Sequence, residues 1–319
     1  METKILTGKI MQGKIFQTIK EDTDQLRKNH GIIPGIAFIG FDGFPLNKYS
    51  FPLHVKCALD AGFKVEHQLL SMKVTDEEVK AVIDEFNADE SIDAIVVLQP
   101  VPPQLNPLLI ESMILPQKEV ECFHPQNMLQ AVTTGTFNNN CRMCLPQALE
   151  EILKEENIPV GLEDRWVFVL DKEFFSNQLT LAIVNTAAKQ VVPPGAPVTF
   201  VSSSSSHLRE IAITADFLAI ISKKICFFQR EWLKDGVVII DVYSNLVKEV
   251  PSKGNPSDLV PVIRGGIDIE KARNKAAAIL PVPGGLMTLV LGLLLQNTLK
   301  VVSSSRKPSP RSLSFQESA

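Results

Sequence analysis

The spacing of apolar residues predicts alternating helices and strands along most of the chain. A continuous apolar run at residues 33–40 predicts a buried strand, and apolar positions at helical spacing on both sides of it predict helices. In the first half, the predicted elements are a helix over 4–29, a strand over 33–40, a helix over 47–61, a strand over 65–70, a helix that opens with a capping box at Thr75, and a strand over 93–98. Strands that alternate with helices are typical of a parallel α/β sheet.

The same alternation returns in the second half of the chain. Its predicted elements are a helix over 146–156, a strand over 166–170, a helix over 174–188, and strands over 198–201, 216–221 and 237–241. This unit has the organisation of a dinucleotide-binding domain. The prediction is therefore two α/β domains with a cleft between them, of which the second is Rossmann-like.

Changes in composition mark the domain boundaries. The first domain is predicted to comprise residues 1–145 together with a helix over 287–301, and the second domain residues 146–286. The polar, turn-rich segment 133–140 is a candidate hinge. Residues 302–319 are rich in serine, with prolines and basic residues. Such a segment cannot bury enough apolar surface to order itself, which predicts a disordered tail.

Composition and charge narrow the class of protein. The 319 residues are 45% apolar and 21% charged, and the 32 basic residues are outnumbered by 36 acidic ones. We therefore expect no nucleic-acid partner, which would need an excess of positive charge. We also expect no membrane partner, because the longest apolar run, 286–295, is about half of the roughly 20 residues that a spanning helix needs. The start of the chain lacks the features of a leader peptide, which predicts a cytoplasmic protein.

The cysteines do not indicate a disulfide framework or a metal site. Their number, five, is odd in a large chain, which favours free thiols. Cys141 and Cys144 form a C-x-x-C pair, but no further ligands lie nearby at a spacing that suits zinc. We therefore expect no metal to be bound.

The segment from Leu280 to Thr288 restricts the backbone conformation more than any other segment of the chain. Two prolines fix the backbone around a valine, and two glycines admit conformations that other residues avoid, so a tight turn must lead into the apolar helix that follows. One interpretation is a turn that simply precedes a core helix. The other is a turn that brings bare backbone against a flat ligand.

This turn, P-V-P-G-G, with M-T and L-L-x-N-T after it, closely resembles a signature of the methylenetetrahydrofolate dehydrogenase/cyclohydrolase family, in which it lines the folate pocket. Residues 118–127 resemble the family's K-D-V-D-G-F-H-P-x-N segment, and residues 231–241 resemble its E-W-(I/L)-K-x-G-(A/V)-x-V-(I/V)-D stretch. The likeness runs from about residue 5 to residue 299. It implies a folate as substrate or ligand, NAD(P) as cofactor, and a homodimer.

The resemblance also implies a folate site. Its candidate substrate-binding residues in this chain are Tyr49, Gln99, Glu121, Pro283, Gly284 and Gly285. Glu121 stands where the family's second acid binds the folate ring system, and its carboxylate could accept hydrogen bonds from a pterin; an acid on a solvated loop is the alternative. Gln99 is displaced by one position from the glutamine of the family's V-Q-L-P-L-P, and such a shift turns a strand side chain to the opposite face.

The family's chemistry uses a Tyr-x-x-x-Lys pair on one face of a helix, with the lysine moving protons during hydrolysis. The alignment places this pair at Ser50 and His54, so that Tyr49 is one position early and Lys56 two positions late. His54 and Lys56 are therefore the candidate catalytic residues. The histidine could shuttle protons near neutral pH or could simply pack. Pro52 could change the helix register and bring Lys56 into use.

The nucleotide signature has diverged most. Where the family has G-R-S-x-x-V-G-x-P, residues 170–178 read L-D-K-E-F-F-S-N-Q, without a glycine and with two acids that would repel a pyrophosphate. The candidate cofactor-binding residues that remain are Lys172, Ser176 and Ser202. We therefore expect weak or no binding of NAD or NADP.

Two functions stay open at this point. The substitutions concentrate at functional motifs while the core pattern survives, which favours a folate-dependent one-carbon metabolism protein that keeps a folate pocket but is catalytically impaired. The alternative is an active NAD(P)-dependent methylenetetrahydrofolate dehydrogenase, methenyltetrahydrofolate cyclohydrolase, or both, that works with divergent residues.

Overall fold

Helices and strands alternate along the computed structural model, which describes residues 2–254 and 257–306. The strands are β1 Lys4–Ile5, β2 Gly35–Phe41, β3 Lys64–Leu70, β4 Ala94–Val97, β5 Trp166–Leu170, β6 Val198–Ser202, β7 Phe217–Ile221, β8 Val238–Asp241, β9 Asn245–Pro251, β10 Leu259–Arg264 and β11 Ala278–Leu280. The helices are α1 Lys9–His30, α2 Asn47–Asp60, α3 Asp76–Ala88, α4 Pro107–Met113, α5 Pro125–Thr134, α6 Cys144–Glu155, α7 Lys172–Ser176, α8 Gln178–Val191, α9 Leu208–Ala212, α10 Ile269–Ala272 and α11 Met287–Ser305. The fold is α/β, with two main sheets, as predicted.

The first lobe is built on a parallel sheet of three strands in the order β3-β2-β4. All seven residues of the central strand β2 are buried, because helices cover both faces of the sheet. Phe38 packs on the side that carries α1 and α2, whereas Ile39 packs on the side of α3 and α4, as the alternation of strand side chains requires.

The second lobe is built on a sheet of six strands in the order β1-β11-β8-β7-β5-β6, with every pairing parallel. Trp166 of β5 is buried and stacks on Phe217 of β7, with the ring centres 4.2 Å apart. β5 lies between β6 and β7, so the direction in which the chain crosses the sheet reverses there. At such a switch point, a crevice forms outside the carboxyl ends of the strands, and open α/β sheets bind their ligands in this crevice.

The start of the chain differs from the prediction of a helix from residue 4. Lys4 and Ile5 form the edge strand β1 of the second lobe, and Lys4 N and Leu6 N donate to Ala277 O and Ile279 O at 2.9 and 2.8 Å. Leu6 is fully buried. Because two strand residues carry no periodic signal, the hydrophobic pattern could not separate β1 from α1.

The helix predicted over 174–188 is two helices, α7 and α8. Asn177 is extended, ends α7, and caps α8 by accepting a hydrogen bond from Thr180 N at 2.9 Å. An asparagine at this position satisfies an N–H group that the first turn of a helix leaves unpaired. The prediction also omitted the antiparallel hairpin β9–β10, whose strands contain no buried residue.

α11 is a core helix that packs on α1 and α6. By length and composition it could cross a membrane, but 61% of the residues in that apolar window are buried inside the protein. It also continues beyond the end predicted at Val301, as far as Ser305, and the hydroxyls of Ser303 and Ser305 donate to Leu299 O and Val301 O at 2.8 and 2.9 Å. The rest of the predicted tail, 307–319, lies outside the described residues.

Asn297 holds α11 against two irregular segments of the chain. Its side-chain nitrogen donates to Val120 O at 2.9 Å and to Arg142 O at 2.8 Å, and the residue is fully buried. Val120 precedes α5, and Arg142 precedes α6. One amide therefore sets the position of both segments relative to the core helix.

We expect Asn297→Ala to lower the free energy of unfolding by about 2–4 kcal/mol, because it leaves two buried carbonyl groups without a donor. Urea denaturation followed by circular dichroism measures the change. The matched control is Asn185→Ala, where an exposed amide on α8 donates to Leu181 O within one helical turn. If both substitutions lowered the free energy of unfolding equally, the buried amide would contribute no more to stability than the exposed one.

Candidate functional site

His54 lies in the middle of α2 and packs against the first sheet. Its ring centre is 5.7 Å from that of Phe38, edge to face, and its Nδ1 atom is 2.6 Å from Ser50 O. Burial lowers the pKa of His54, so the imidazole is neutral at pH 7 and Nδ1–H is the donor to that carbonyl. These contacts are those of a packing histidine, with Nε2 alone left to act as a base.

Lys56 points into solvent. Its side chain is 70% exposed and its ammonium forms an ion pair with Asp60, one turn further along α2; the hydrogen bond to Asp60 raises the pKa of Lys56. α2 runs back from the carboxyl edge of the sheet, so Lys56 lies about 10 Å along the helix axis from Tyr49. The kink that Pro52 could have introduced does not bring Lys56 to the carboxyl edge.

Tyr49 and Lys48, at the start of α2, are both bound to Glu249 on the hairpin β9–β10. The Tyr49 hydroxyl donates to Glu249, and Lys48 Nζ lies 3.1 Å from Glu249 Oε1. These two hydrogen bonds, that from Tyr49 first, lower the pKa of Glu249. The contacts connect the first lobe to the hairpin and hold the Tyr49 ring in one position.

Gln99 and its neighbour Leu98, just beyond the end of β4, have different surroundings. Leu98 belongs to the core on the α2 side together with Phe38. Gln99 instead donates from Nε2 to Oε1 of Glu111, on α4, at 3.0 Å. Gln99 lies in the bend after β4, which ends at Val97, and its amide contacts α4.

Three glutamates, Glu111, Glu119 and Glu121, lie close together near β4. A parallel bridge between Ile95 and Glu119 lays the segment that contains Glu121 beside that strand. Glu119 accepts hydrogen bonds from Glu121 N at 2.6 Å and from Asn127 Nδ2 at 2.7 Å. Glu111 is 2% exposed, and burial, followed by the charges of Glu119 and Glu121, raises its pKa well above the usual range. The motifs did not single out Glu111.

Glu121 is partly buried, and its carboxylate accepts no hydrogen bond from residues 2–254 or 257–306. Burial, and then the charge of Glu119, raises the pKa of Glu121 to about 8. The group is therefore protonated at pH 7 and lacks the partners that a solvated or ion-paired acid would have. Carboxyl groups with a raised pKa occur at functional sites and also in structural clusters of acids.

The turn at Pro281–Gly285 has the tight geometry predicted for it. Gly285 N donates to Pro281 O at 2.9 Å, and a Cβ atom on Gly285 would lie 2.6 Å from that oxygen. Gly284 has φ +99°, which favours glycine, and its carbonyl accepts a hydrogen bond from Gly8 N at 3.2 Å. Pro283 is exposed at the tip of the turn. The two glycines are therefore required by the backbone.

The candidate cofactor residues of the second lobe do not meet around one point. Lys172 and Ser176 are exposed, and Ser176 Oγ donates to Glu173 O at 2.9 Å within α7. Ser202 Oγ lies 3.0 Å from Ser204 Oγ. The described residues contain no group of three or more His, Cys, Asp or Glu side chains placed to hold a metal ion.

The centre of the crevice in the second lobe is occupied by Asp171, the first residue after β5, which is 3% exposed. Its Oδ1 atom accepts hydrogen bonds from Ser203 Oγ and Ser222 Oγ, each at 2.6 Å, and its Oδ2 atom accepts one from Lys223 N at 2.6 Å. The sequence marked Asp171 as an acid that would repel phosphate, but not its buried position or its partners.

Two surface grooves lie away from all of these residues. One, of about 880 Å³, runs between α1 and α11, and the other, of about 490 Å³, lies beside α6 and the end of α8. Neither groove is lined by a candidate site residue. Shape alone therefore does not identify the site, and the chemistry of the side chains has to do so.

Two family models match the chain. "Tetrahydrofolate dehydrogenase/cyclohydrolase, catalytic domain" matches residues 6–121, and "Tetrahydrofolate dehydrogenase/cyclohydrolase, NAD(P)-binding domain" matches residues 143–306. Among similar proteins, "Bifunctional protein FolD" of Limosilactobacillus reuteri is 32% identical over 298 residues, which are 93% of this chain and 96% of that protein. The protein of the same name from Desulfotalea psychrophila is 29% identical over 299 residues, 94% of this chain and 97% of that protein.

Solved structures share the fold. A Trypanosoma brucei methylenetetrahydrofolate dehydrogenase-cyclohydrolase (FolD), complexed with NADP cofactor and inhibitor, has a TM-score of 0.80 at 24% identity and covers 96% of this chain and 99% of its own. The FolD enzyme from Campylobacter jejuni has a TM-score of 0.73 at 24% identity, with 95% and 99% covered. The arrangement of two α/β lobes is therefore common to these proteins.

The raised pKa of Glu121 predicts a pH dependence of stability. Between the unfolded value near 4.5 and the folded value of about 8, the folded chain holds a proton that the unfolded chain releases, so stability falls as pH rises through this window. Glu121→Gln, which cannot titrate, should lose less stability between pH 5 and pH 8 than the natural chain. Thermal unfolding across this range is the measurement, with the exposed Glu85→Gln as control. Parallel curves for the natural chain and Glu121→Gln would contradict a buried, protonated carboxyl group.

Proposed function

The chain belongs to the tetrahydrofolate dehydrogenase/cyclohydrolase family, and we propose that it binds a reduced folate beside Glu121 but lacks the family's lysine-driven hydrolysis and its hydride transfer. The observation that carries the proposal is the position of Lys56, whose ammonium pairs with Asp60 towards the far end of α2. The loss of glycines and the two acids after β5 support the absence of hydride transfer.

Hydrolysis of a methenyl group needs a base that activates water and a group that passes the proton on. His54 is the other candidate on α2, but its Nδ1 atom is engaged by Ser50 O and its ring lies on Phe38. Burial disfavours the charged imidazolium through which a shuttling histidine must pass. Neither basic side chain is therefore suited to the proton transfers.

Glu121 has the chemistry to recognise a pterin. An ionised carboxylate can accept hydrogen bonds from the pterin amino group and from a ring N–H at the same time. With a pKa of about 8, Glu121 is protonated in the empty site, and the donors of the ligand favour its ionised form. Folate binding would thus release a proton and strengthen as pH rises towards 8.

The other parts of the folate site are a wall and a ring face. Pro283, Gly284 and Gly285 supply a rigid wall, because the hydrogen bonds of the turn fix its backbone. Tyr49, held by Glu249, supplies an aromatic face on which a flat ligand could stack. Gln99 is less suited to contact the same ligand, since its amide is engaged by Glu111.

We expect a tetrahydrofolate analogue to raise the Tm of the natural chain. Glu121→Ala should bind the analogue about ten-fold to hundred-fold more weakly, because the donors of the ligand lose their acceptor. Ligand-induced thermal stabilisation measures this, with Glu85→Ala as the matched exposed control. Equal shifts in the natural chain and Glu121→Ala would place the carboxylate outside the site. No shift in any of the three would show that the pocket itself is absent.

We also expect no hydrolysis of methenyltetrahydrofolate above the uncatalysed rate, and no change with Lys56→Met or His54→Ala, because neither side chain is placed for the proton transfers. The decay of the methenyl absorbance, recorded from pH 5 to pH 9, is the measurement. Catalysis that disappears in His54→Ala, with an inflection near pH 6.5, would establish the alternative of an active enzyme. Catalysis that disappears in Lys56→Met would show that this lysine reaches the substrate.

A further inference from the structure

The first residues after three neighbouring strands converge at the carboxyl edge of the second sheet. Asp171 follows β5, Ser203 follows β6 and Ser222 follows β7. These three strands are the ones that meet at the switch point, where a Rossmann-type domain holds the pyrophosphate of its cofactor. The crevice of the fold is therefore defined by these residues.

The carboxylate of Asp171 has the contacts that a bound anion would have. Two hydroxyl groups and one backbone N–H, from Ser203, Ser222 and Lys223, donate to it from the loops after β6 and β7. Burial opposes the charge of Asp171, but these three hydrogen bonds and the charge of Lys224 outweigh it and lower its pKa. The group is thus ionised at neutral pH, with its charge satisfied inside the protein.

Two of the three lysines near Asp171 have partners within the lobe, and the third, Lys172, is exposed. Lys224 Nζ donates to Ser203 O at 3.1 Å. Lys223 Nζ lies 3.3 Å from Glu173 Oε1 and 5.2 Å from the ring centre of Phe174. A phosphate that enters from outside would therefore compete with the existing partners of Lys223 and Lys224.

The space around Asp171 is filled as well. Leu170, where the family's turn has a glycine, is completely buried. Phe174 packs on Tyr243, with the ring centres 5.6 Å apart, in the loop after β8. A pyrophosphate in this crevice would meet the fixed negative charge of Asp171. The residues present therefore do not fit NAD or NADP.

We propose that Asp171 is an internal anion that takes the place of the cofactor's pyrophosphate and keeps the second lobe closed to dinucleotides. Removing its carboxylate turns the same donors into a site for a small oxyanion such as formate or inorganic phosphate. The contact is autoinhibitory and also stabilising, because it ties together the ends of three strands. It concerns the second lobe alone and does not depend on folate binding in the first.

The experiment compares the natural chain with Asp171→Ala and Asp171→Ser. Asp171→Ala leaves the donors on Ser203, Ser222 and Lys223 without an acceptor, so we expect its Tm to fall by about 5 °C or more, and Asp171→Ser, which retains one acceptor atom, should lose less. Formate or phosphate at tens of millimolar should restore about half of that loss or more, since an anion that binds the folded state stabilises it. The natural chain should show no such response. The serine variant keeps one hydroxyl group to pair with the exposed donors, and it decides the outcome if the alanine variant does not fold.

The matched control is Asp164→Ala, which removes a carboxylate that accepts a hydrogen bond from Gly161 N in a surface loop. It should show no specific response to oxyanions. Isothermal titration of the natural chain with NAD and NADP should detect no binding, and a dissociation constant in the low micromolar range for either would overturn the proposal. The proposal would also fail if the folded Asp171→Ser variant responded to formate and phosphate no more than Asp164→Ala does.

Discussion

The hydrogen bonds of the buried Asn297 amide are the interaction on which the rest of the first lobe depends. They fix Val120, and with it the neighbouring Glu121, against a helix that belongs to the protein core. An unpaired backbone carbonyl in this environment is costly, so the segment has little freedom to move. The candidate folate acid is therefore positioned by a distant part of the chain, and its raised pKa follows from that enforced burial.

The sequence was most informative where apolar residues follow a clear pattern or where a short motif specifies one local backbone conformation. The buried strand β2 and the capping box at Thr75, which accepts from Glu78 N and whose own N–H is bound by Glu78, could both be derived from local patterns. Short edge elements such as β1 could not, because they depend on partners far away. Glu111 was not anticipated, since an acid in an apolar helix becomes informative only when Gln99 is seen beside it.

The candidate residues of the two lobes have different physical surroundings. In the first lobe, the amide of Gln99 is bound to Glu111 on α4, and Lys56 lies in solvent beside Asp60. In the second lobe, the carboxylate of Asp171 accepts three hydrogen bonds from the loops after β6 and β7. None of these polar contacts interrupts the apolar cores on the two sheets.

The pairing of β1 with β11 has a consequence for the order in which the protein can fold. Lys4 pairs with Ala278, so β1 can pair only after more than 270 further residues have been synthesised. α1, which follows immediately, packs on the equally late α11. Contacts of such long sequence separation form slowly, and the lobes cannot mature independently from the amino terminus onward. Until β11 is made, β1 has no partner, and a chain without Lys4 and Ile5 would leave that side of β11 unpaired in the finished fold.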